Sequence, residues 1–160
     1  MCERGANRVR HFDRDGTARG SATLTAPSRV AVDALTHDAW ATSFTTGRVL
    51  RIASDGAARD TILLDGPIGV AVDAARGRVW IADAAAATVI ALDRGGAVVS
   101  RTGGFPEVRE IAIDPTTGEA WATVPGTGAV ARLSAAGVLL RLVGGLAEPA
   151  GIALDPGRGR

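Results

Sequence analysis

Short apolar triplets, each followed by an aspartate, recur along the chain. They are "VAVD", "VAVD", "IAID" and "IALD", and they end at Asp33, Asp73, Asp114 and Asp155, with spacings of 40, 41 and 41 residues. Consecutive apolar positions bounded by a turn signal predict a short strand that is covered on both faces. An aspartate in that place favours a turn, because its carboxylate accepts hydrogen bonds from nearby backbone N–H groups. We therefore expect these four aspartates to cap turns.

Three other markers keep the same period. Tryptophans follow the triplets, prolines precede them, and a glycine ends a polar turn in each period: Trp40, Trp80, Trp121; Pro27, Pro67, Pro106, Pro149; Gly16, Gly56, Gly96, Gly137. Self-similarity at about 40 residues is the signature of a repeat architecture. One tryptophan at the same place in each repeat predicts a structural wedge between neighbouring units, because an indole buries a large area.

Each period is expected to hold four short strands. In the third period these are the triplet, "VWIAD", "TVIALD" and a more polar fourth strand, with the glycine turn "DRGG" closing a hairpin. Glycine interrupts every segment with helical spacing. Four antiparallel strands per period predict an all-β fold, a β-propeller of four-stranded blades. A β-sandwich has turn signals at similar spacing but lacks the 40-residue period, and it is the lesser alternative.

The chain is expected to hold about four repeats with boundaries near residues 28, 68, 109 and 150. Three are complete and one is split, since residues 1–16 align with 81–96 and residues 151–160 align with 69–78. Two arrangements stay open. The terminal pieces pair into a shared blade, which closes a four-bladed ring as a single domain of residues 1–160. Alternatively, the chain is a segment of a six- to eight-bladed ring, completed by further sequence or by a second copy in a homodimer.

The motif "PIGVAVD…GRVWIAD…TVIALDRGG" resembles the NHL-type repeat and its bacterial relatives among the streptogramin-lyase-like propellers. The resemblance covers the whole chain and implies a fold more than an activity, because such repeats serve unrelated tasks. The family repeat has Asp after the second strand and Asn-Arg before the third. Asp83 keeps the former and Asn7-Arg8 keep the latter, whereas Ser43 and Val124 stand in the position of Asp83.

Composition narrows the classes of partner. Hydrophobic residues make up 46% of the chain, enough for a core, and 18 basic residues (all arginine) nearly balance 17 acidic ones at a net charge of +1. This balance argues against nucleic acid as a partner. Cys2 is the single cysteine, so no intrachain disulfide is expected. No apolar run is long enough for a membrane span, and the charged N-terminus predicts no signal peptide, which leaves the compartment open.

Differences between repeats are the better guide to a site, since a ligand site needs asymmetry. The loops before the first strand and between the second and third strands are expected to gather at one rim of the propeller. The polar residues expected there as ligand-binding residues are Glu3, Asn7, Arg29, Asp83, Arg109, Glu110 and Glu148. A mixed arginine and glutamate set suits a protein, a peptide or a small polar molecule, and predicts a non-enzymatic binding scaffold. Ordinary solvated loop charges are the competing interpretation.

Catalysis is the alternative from another class. The resemblance implies a metal-dependent lyase or lactonase of the streptogramin-lyase or gluconolactonase type, which uses axial His, Glu, Asn or Asp side chains. A Ca²⁺ site from Glu3, Asn7, Asp83 and Glu110 would fit the oxygen ligands that this ion prefers. However, the repeat register places His11 and His37 away from the rim, and no hydrolase or metalloprotease motif is present. We therefore expect no catalytic residue and no cofactor.

Overall fold

The computed structural model describes residues 1–155, and within them the chain forms fifteen strands in four antiparallel sheets. Each sheet is a meander in which a strand pairs with the next one along the chain. Blade 1 comprises β1 (Cys2–Glu3), β2 (Arg8–Phe12) and β3 (Ala18–Thr23); blade 2 comprises β4 (Arg29–Val32), β5 (Ala39–Ser43), β6 (Arg48–Ile52) and β7 (Ala58–Leu63); blade 3 comprises β8 (Pro67–Asp73), β9 (Arg78–Asp83), β10 (Thr88–Asp93) and β11 (Val98–Gly103); blade 4 comprises β12 (Ile111–Ile113), β13 (Ala120–Val124), β14 (Ala129–Leu133) and β15 (Leu139–Val143).

This architecture confirms the all-β propeller prediction, with three complete blades and one incomplete blade of three strands among the described residues. The pairing repeats from blade to blade: Arg29 lies opposite Thr42 in blade 2, and Gly69 lies opposite Ala82 in blade 3. Two short 3-10 turns, Arg4–Ala6 and Pro125–Thr127, are additions that the sequence pattern did not indicate. The 40-residue period therefore corresponds to one sheet.

The glycine that recurs in each repeat has a conformational cause. Gly16, Gly56, Gly96 and Gly137 have φ values of 84°, 85°, 88° and 85° and stand in the hairpins that join the last two strands of each blade. Residues with a Cβ rarely adopt this left-handed region, whereas glycine enters it at little cost. The hairpin prediction made from these glycines is confirmed.

The core consists of three apolar clusters, and each one joins two neighbouring blades. Trp40 packs against Val79 and Leu92, and so lies between blades 2 and 3. Trp80 takes the same place between blades 3 and 4. Their exposed fractions are 1% and 0%. Trp121 differs, because it is only half-buried and no sheet within residues 1–155 lies beyond blade 4.

Strand pairing does not join the two ends of the array among the described residues. β1 pairs with β2 alone, and residues 151–155 form no strand. The first strand of a complete blade is called its inner strand here; in blade 3 it is β8. The Thr42 hydroxyl donates a hydrogen bond to the carbonyl of Ile68 at 2.7 Å, near the start of β8. The Thr123 hydroxyl donates in the same way to the carbonyl of Ala150 at 3.2 Å. The chain after blade 4 thus enters the place of a further inner strand. Residues 156–160, which belong to the predicted split repeat, lie outside the described residues.

Candidate functional site

Two threonines fix the start of successive inner strands at the rim. The backbone N–H of Arg29 donates to the Thr42 hydroxyl at 3.2 Å, and that of Glu110 donates to the Thr123 hydroxyl at 3.0 Å. Each hydroxyl donates onward to a carbonyl of the next stretch of inner chain. These threonines were not among the predicted site residues, although both stand two residues after a repeated tryptophan. They place Arg29 and Glu110 at equivalent positions in blades 2 and 4.

Arg29 and Glu110 form an ion pair although 81 residues separate them. The Nε and Nη2 atoms of Arg29 lie 2.7 Å and 2.5 Å from Oε1 of Glu110, and Nη1 donates to the carbonyl of Ser28 at 3.1 Å. The side chains are 52% and 21% exposed. The pair joins blade 2 directly to blade 4. In blade 3, which lies between them in the array, the equivalent residue is Gly69. The structure therefore brings together two of the predicted rim residues in one solvent-accessible charged group.

The backbone of Arg109 packs directly on Gly69. A Cβ added to Gly69 would lie 2.3 Å from the carbonyl oxygen of Arg109 and 3.2 Å from Cβ of Ala82, so this site has no room for a side chain. The N–H of Arg109 donates to the carbonyl of Thr123 at 3.0 Å. Its side chain is exposed and forms no ion pair within residues 1–155. Arg109 thus offers a guanidinium that adjoins Glu110 in the chain and is available to a ligand.

Asp83 and Asn7 hold turns. Asp83 is fully buried, and its carboxylate accepts hydrogen bonds from the backbone N–H groups of Asp65, Gly66 and Ala86 at 3.1, 2.8 and 3.2 Å. The side-chain oxygen of Asn7 accepts from the N–H of Ala26 at 2.8 Å. Asp83 anchors a loop to the end of β9, and Asn7 anchors one to the turn that precedes β2. We therefore leave them out of the site that we propose, although both lie in the predicted loops.

Glu3 and Glu148 stand apart from the Arg29–Glu110 pair. Glu3 forms ion pairs with Arg8 at 2.5 Å and Arg10 at 3.1 Å within blade 1. The hydrogen bond from Arg8, together with that from Arg10, lowers the pKa of the Glu3 carboxyl below its ordinary value. Glu148 is exposed in the loop after blade 4, and within residues 1–155 no ion pair joins it to the rim arginines.

Cys2 lies at the register position of Thr42 and near the charge of Arg29. Burial raises the pKa of its thiol, and the positive charges of the N-terminus and Arg29 oppose that effect without cancelling it. The thiol is therefore mainly protonated at neutral pH. Cys2 marks the place where blade 1 adjoins the rim.

A metal site is not assembled among the described residues. Within residues 1–155, no three His, Cys, Asp or Glu side chains are grouped so that they could hold an ion. Each of the predicted Ca²⁺ ligands has another partner, in the ion pairs of Glu3 and Glu110 and in the backbone hydrogen bonds of Asp83 and Asn7. The calcium site stays a prediction, for which we give a test below.

The repeated aspartates accept hydrogen bonds in the turns that follow the inner strands. Asp33 accepts from the N–H of Leu35 at 2.8 Å, and Asp114 accepts from that of Thr116 at 2.8 Å. Asp73 accepts from both the backbone and the guanidinium of Arg76. Asp155 is exposed, and its turn lies outside the described residues. These contacts are those of capped turns.

Asp33 has an additional partner that ties two blades. Arg94 of blade 3 donates from Nε to the Asp33 carboxylate at 3.0 Å and also donates to the carbonyl of Ala74. Burial acts to raise the pKa of Asp33, but the hydrogen bonds from Leu35 and Arg94 outweigh it, so that the pKa lies below its ordinary value. A lowered pKa means that the ionised carboxylate stabilises the folded state.

Replacing Asp33 with Asn is expected to lower the free energy of unfolding at pH 7 by about 1–2 kcal/mol, because charge-assisted hydrogen bonds are lost. The contribution of Asp33 is present above the ordinary aspartate pKa of about 3.9 and is lost as the pH falls through the lower folded value. The difference from the wild type should therefore shrink below about pH 4. Urea denaturation from pH 7 to pH 3 measures it, with Asp60→Asn as the exposed control. A difference that is independent of pH would contradict this assignment.

Comparison with solved structures identifies the fold. No family model and no curated protein matches the chain. Virginiamycin B lyase from Staphylococcus aureus matches with a TM-score of 0.79 at 19% identity, over 96% of this chain and 55% of that one. A streptogramin B lyase matches with a TM-score of 0.78 at 16% identity, over 94% and 53%. Hydrazine synthase from Kuenenia stuttgartiensis matches with a TM-score of 0.70 at 12% identity, over 77% and 37%.

The chain thus spans about half the length of the lyases that it matches. No helix within residues 1–155 is long and apolar enough to cross a bilayer. At these identities the likeness concerns the fold alone, and it agrees with the repeat pattern from which the fold was predicted. The chain has the β-propeller fold of the streptogramin B lyases.

Proposed function

We propose that the chain is a non-enzymatic binding scaffold whose ligand docks at the rim, on Arg29, Arg109 and Glu110. The observation that carries this proposal is the Arg29–Glu110 ion pair, which holds two partly exposed charges of opposite sign across two blades. The threonine contacts fix the backbone of both residues, so these side chains project from a rigid frame. Rigid placement of a few polar groups is what a specific site requires.

The charges favour a ligand that carries a carboxylate and an amine, such as a short peptide with free termini. Both contacts from Arg29 go to Oε1 of Glu110, so the second oxygen of this carboxylate is available to accept from an ammonium group. The guanidinium of Arg109 is exposed and presents its fork of N–H donors to a carboxylate. A protein segment that ends in such groups would bind in the same way.

Replacing Arg109 with Ala is expected to weaken peptide binding by about 10- to 100-fold, because the charge-assisted contact of about 1.5–3 kcal/mol between its guanidinium and the ligand carboxylate is lost. The probes are tripeptides with free termini, compared with the same peptides acetylated and amidated, and binding is measured by saturation-transfer NMR. Arg101→Ala, an exposed arginine of blade 3, is the matched control. Equal binding by Arg109→Ala and wild type, or equal binding of blocked and free peptides, would rule out the rim site.

A metal-dependent lyase or lactonase is the second candidate, and the fold match to streptogramin B lyases favours it. One matched structure is a catalytically inactive virginiamycin B lyase with quinupristin. In this chain both histidines, His11 and His37, line a cavity between blades 1 and 2 instead of the rim. Liquid chromatography with tandem mass spectrometry of quinupristin incubated with the chain and a divalent cation tests this candidate directly, since a converted product, even one of equal mass, is separated from quinupristin by its retention time and fragments.

Thermal melting with Ca²⁺ and with EDTA tests the metal itself. A ligand that binds the folded state at 100 times its dissociation constant stabilises it by about 2.7 kcal/mol, which corresponds to a shift of several degrees. We expect no shift if the rim is a peptide site, because its carboxylates are already paired with arginines. A shift of several degrees that Glu110→Gln abolishes would instead support the calcium site and the metal-dependent candidate.

A further inference from the structure

Phe44 is an exposed aromatic residue at the same end of blade 2 as Arg29. It follows β5 closely, and β5 pairs with β4 so that Thr42 lies opposite Arg29. Phe44 is 46% exposed, and among the phenylalanines and tryptophans within residues 1–155 it is the one classed as exposed. The residues in its place in the other blades are Arg4, Ala84 and Pro125. The ring is therefore an asymmetric feature of the rim.

A glycine beneath the ring fixes where the ring lies. A Cβ added to Gly66 would lie 2.8 Å from Cε2 and 3.0 Å from Cδ2 of Phe44, and 2.7 Å from Cβ of Ala85. Gly66 does not have a positive φ, so glycine is required here for space. Its N–H donates to the carboxylate of Asp83 at 2.8 Å, and its carbonyl accepts from the N–H of Ala84 at 2.9 Å. The ring of Phe44 thus lies on a backbone that is held on both sides.

The preceding pair of blades lacks both the ring and the glycine. Ala26 holds the place of Gly66 there, because its N–H donates to the side chain of Asn7 at 2.8 Å and a contact of the same kind holds Gly66. The residue in the place of Phe44 is Arg4. The ring and the glycine therefore occur together between blades 2 and 3 and are replaced together between blades 1 and 2. This joint difference indicates that the repeat is altered at this point to seat an aromatic ring.

Ser28 links the backbone of Phe44 to the charged group of the rim. The N–H of Ser28 donates to the carbonyl of Thr42 at 2.7 Å, and its hydroxyl accepts from the N–H of Phe44 at 3.3 Å. Its carbonyl accepts from Nη1 of Arg29 at 3.1 Å. The carbonyl of Phe44 also accepts from the N–H of Gly47 at 3.3 Å, which closes the turn. Because the backbone of Phe44 is fixed in this way, a ligand that contacts the ring has little ordering cost to overcome.

The ring and the backbone of Arg109 rest on one short stretch of blade 3. Phe44 packs on Gly66, and Arg109 packs on Gly69, three residues further along the chain. Three residues of extended chain span at most about 10 Å. An extended tripeptide has about the same length. A ligand of this size is therefore long enough to place a side chain on the ring while one of its termini meets Arg109 or Glu110.

We propose that Phe44 is the specificity-determining residue of the rim site, and that the preferred ligand is a short peptide with an aromatic side chain that packs on this ring. The inference rests on the proposed function, because it sets the ring beside the groups that would bind the peptide termini. Aromatic rings favour offset-stacked or edge-to-face contacts with one another, and these add to the gain from burying apolar surface. An apolar surface with a few fixed polar groups is typical of small-ligand sites.

The test compares triglycine with the tripeptide whose central residue is phenylalanine, both with free termini. The wild type should bind the phenylalanine peptide about 3- to 10-fold more tightly, the factor that an aromatic pair contributes. Phe44→Ala should remove this preference and leave the dissociation constant of triglycine unchanged, whereas Arg109→Ala should weaken both peptides. Chemical-shift titration of the isotope-labelled chain by NMR measures the constants. Leu35→Ala removes an exposed apolar side chain at the opposite end of blade 2, so this control should retain the preference.

A second variant keeps the ring but displaces it. In Gly66→Ala the new Cβ would overlap the ring of Phe44, so the ring has to move from its seat. The preference for the phenylalanine peptide should fall toward that of Phe44→Ala, while triglycine binds as it does to the wild type. Far-UV circular dichroism checks that both variants keep the fold of the wild type.

The outcomes separate this inference from the proposed function. Equal binding of the two peptides by the wild type, or a preference that survives in Phe44→Ala, would overturn the role of Phe44 and leave the rim site standing. Absence of binding by both free peptides would overturn the proposed function, and this inference with it. A preference that Phe44→Ala removes, but that is as strong for peptides with blocked termini, would overturn the terminal contacts and support the contact with the ring.

Discussion

Replacing Trp80 with Ala is expected to lower the free energy of unfolding by about 3–5 kcal/mol, the usual cost of removing a large aromatic side chain from a core. Trp80 is fully buried among Ala120, Ala122 and Leu133, and its Nε1 atom has no hydrogen-bond partner in the part of the chain that the structure describes. Its contribution therefore comes from packing between blades 3 and 4 alone. Urea denaturation followed by circular dichroism measures the change.

The other two tryptophans provide a matched series. Trp40→Ala should cost about as much as Trp80→Ala, since Trp40 is equally buried between two blades. Trp121→Ala in dilute protein should cost less than about half of that value, because its ring is half-exposed and is covered on one side by Arg132. Equal losses at Trp80 and Trp121, or a loss near zero at Trp80, would contradict the wedge interpretation.

Replacing Gly69 with Ala should be the most damaging change outside the tryptophans, at about 2–3 kcal/mol, because overpacking forces the backbone to move. The new Cβ would meet the carbonyl oxygen of Arg109 at 2.3 Å, and a peptide group held by Thr123 cannot move away without breaking its own hydrogen bond. The same displacement would shift Glu110 and so weaken its pairing with Arg29.

Two measurements follow for Gly69→Ala: the free energy of unfolding and the affinity for the tripeptide probes, both of which should fall. Gly20→Ala is the control, since nothing lies within 4 Å of a Cβ at Gly20 and this glycine does not have a positive φ. We expect its stability to stay within about 0.5 kcal/mol of the wild type. If Gly69→Ala also remained within that range, the close packing of the inner strands would be wrong.

Much of the fold was predictable because its determinants are local and repeated. A triplet, an aspartate, a tryptophan and a glycine at fixed spacing specify four strands, a capped turn and a hairpin in each period. The number of blades in a ring was not predictable, because the angle between neighbouring sheets depends on how their side chains interlock.

The candidate site was predictable only in part. Arg29 and Glu110 stand at equivalent positions with opposite charge, which is a signal that the repeat alignment contains and that predicts their proximity. Asp83 was predicted at the rim from its place in a loop, but it is fully buried. Its carboxylate accepts hydrogen bonds from three backbone N–H groups. Whether a loop carboxylate faces solvent or its own backbone depends on the path of that loop, and loop paths do not follow the repeat.

Because the core is divided into three clusters, the blades are expected to differ in how readily they unfold locally. Each cluster joins only adjacent blades, so unfolding of an end blade breaks one cluster and leaves the other two intact. Proteins built as linear arrays behave as chains of nearest-neighbour couplings, and their ends open at lower cost than their centre. Amide hydrogens of β9 and β10, flanked by a cluster on each side, should exchange with solvent most slowly, and those of blades 1 and 4 should exchange first.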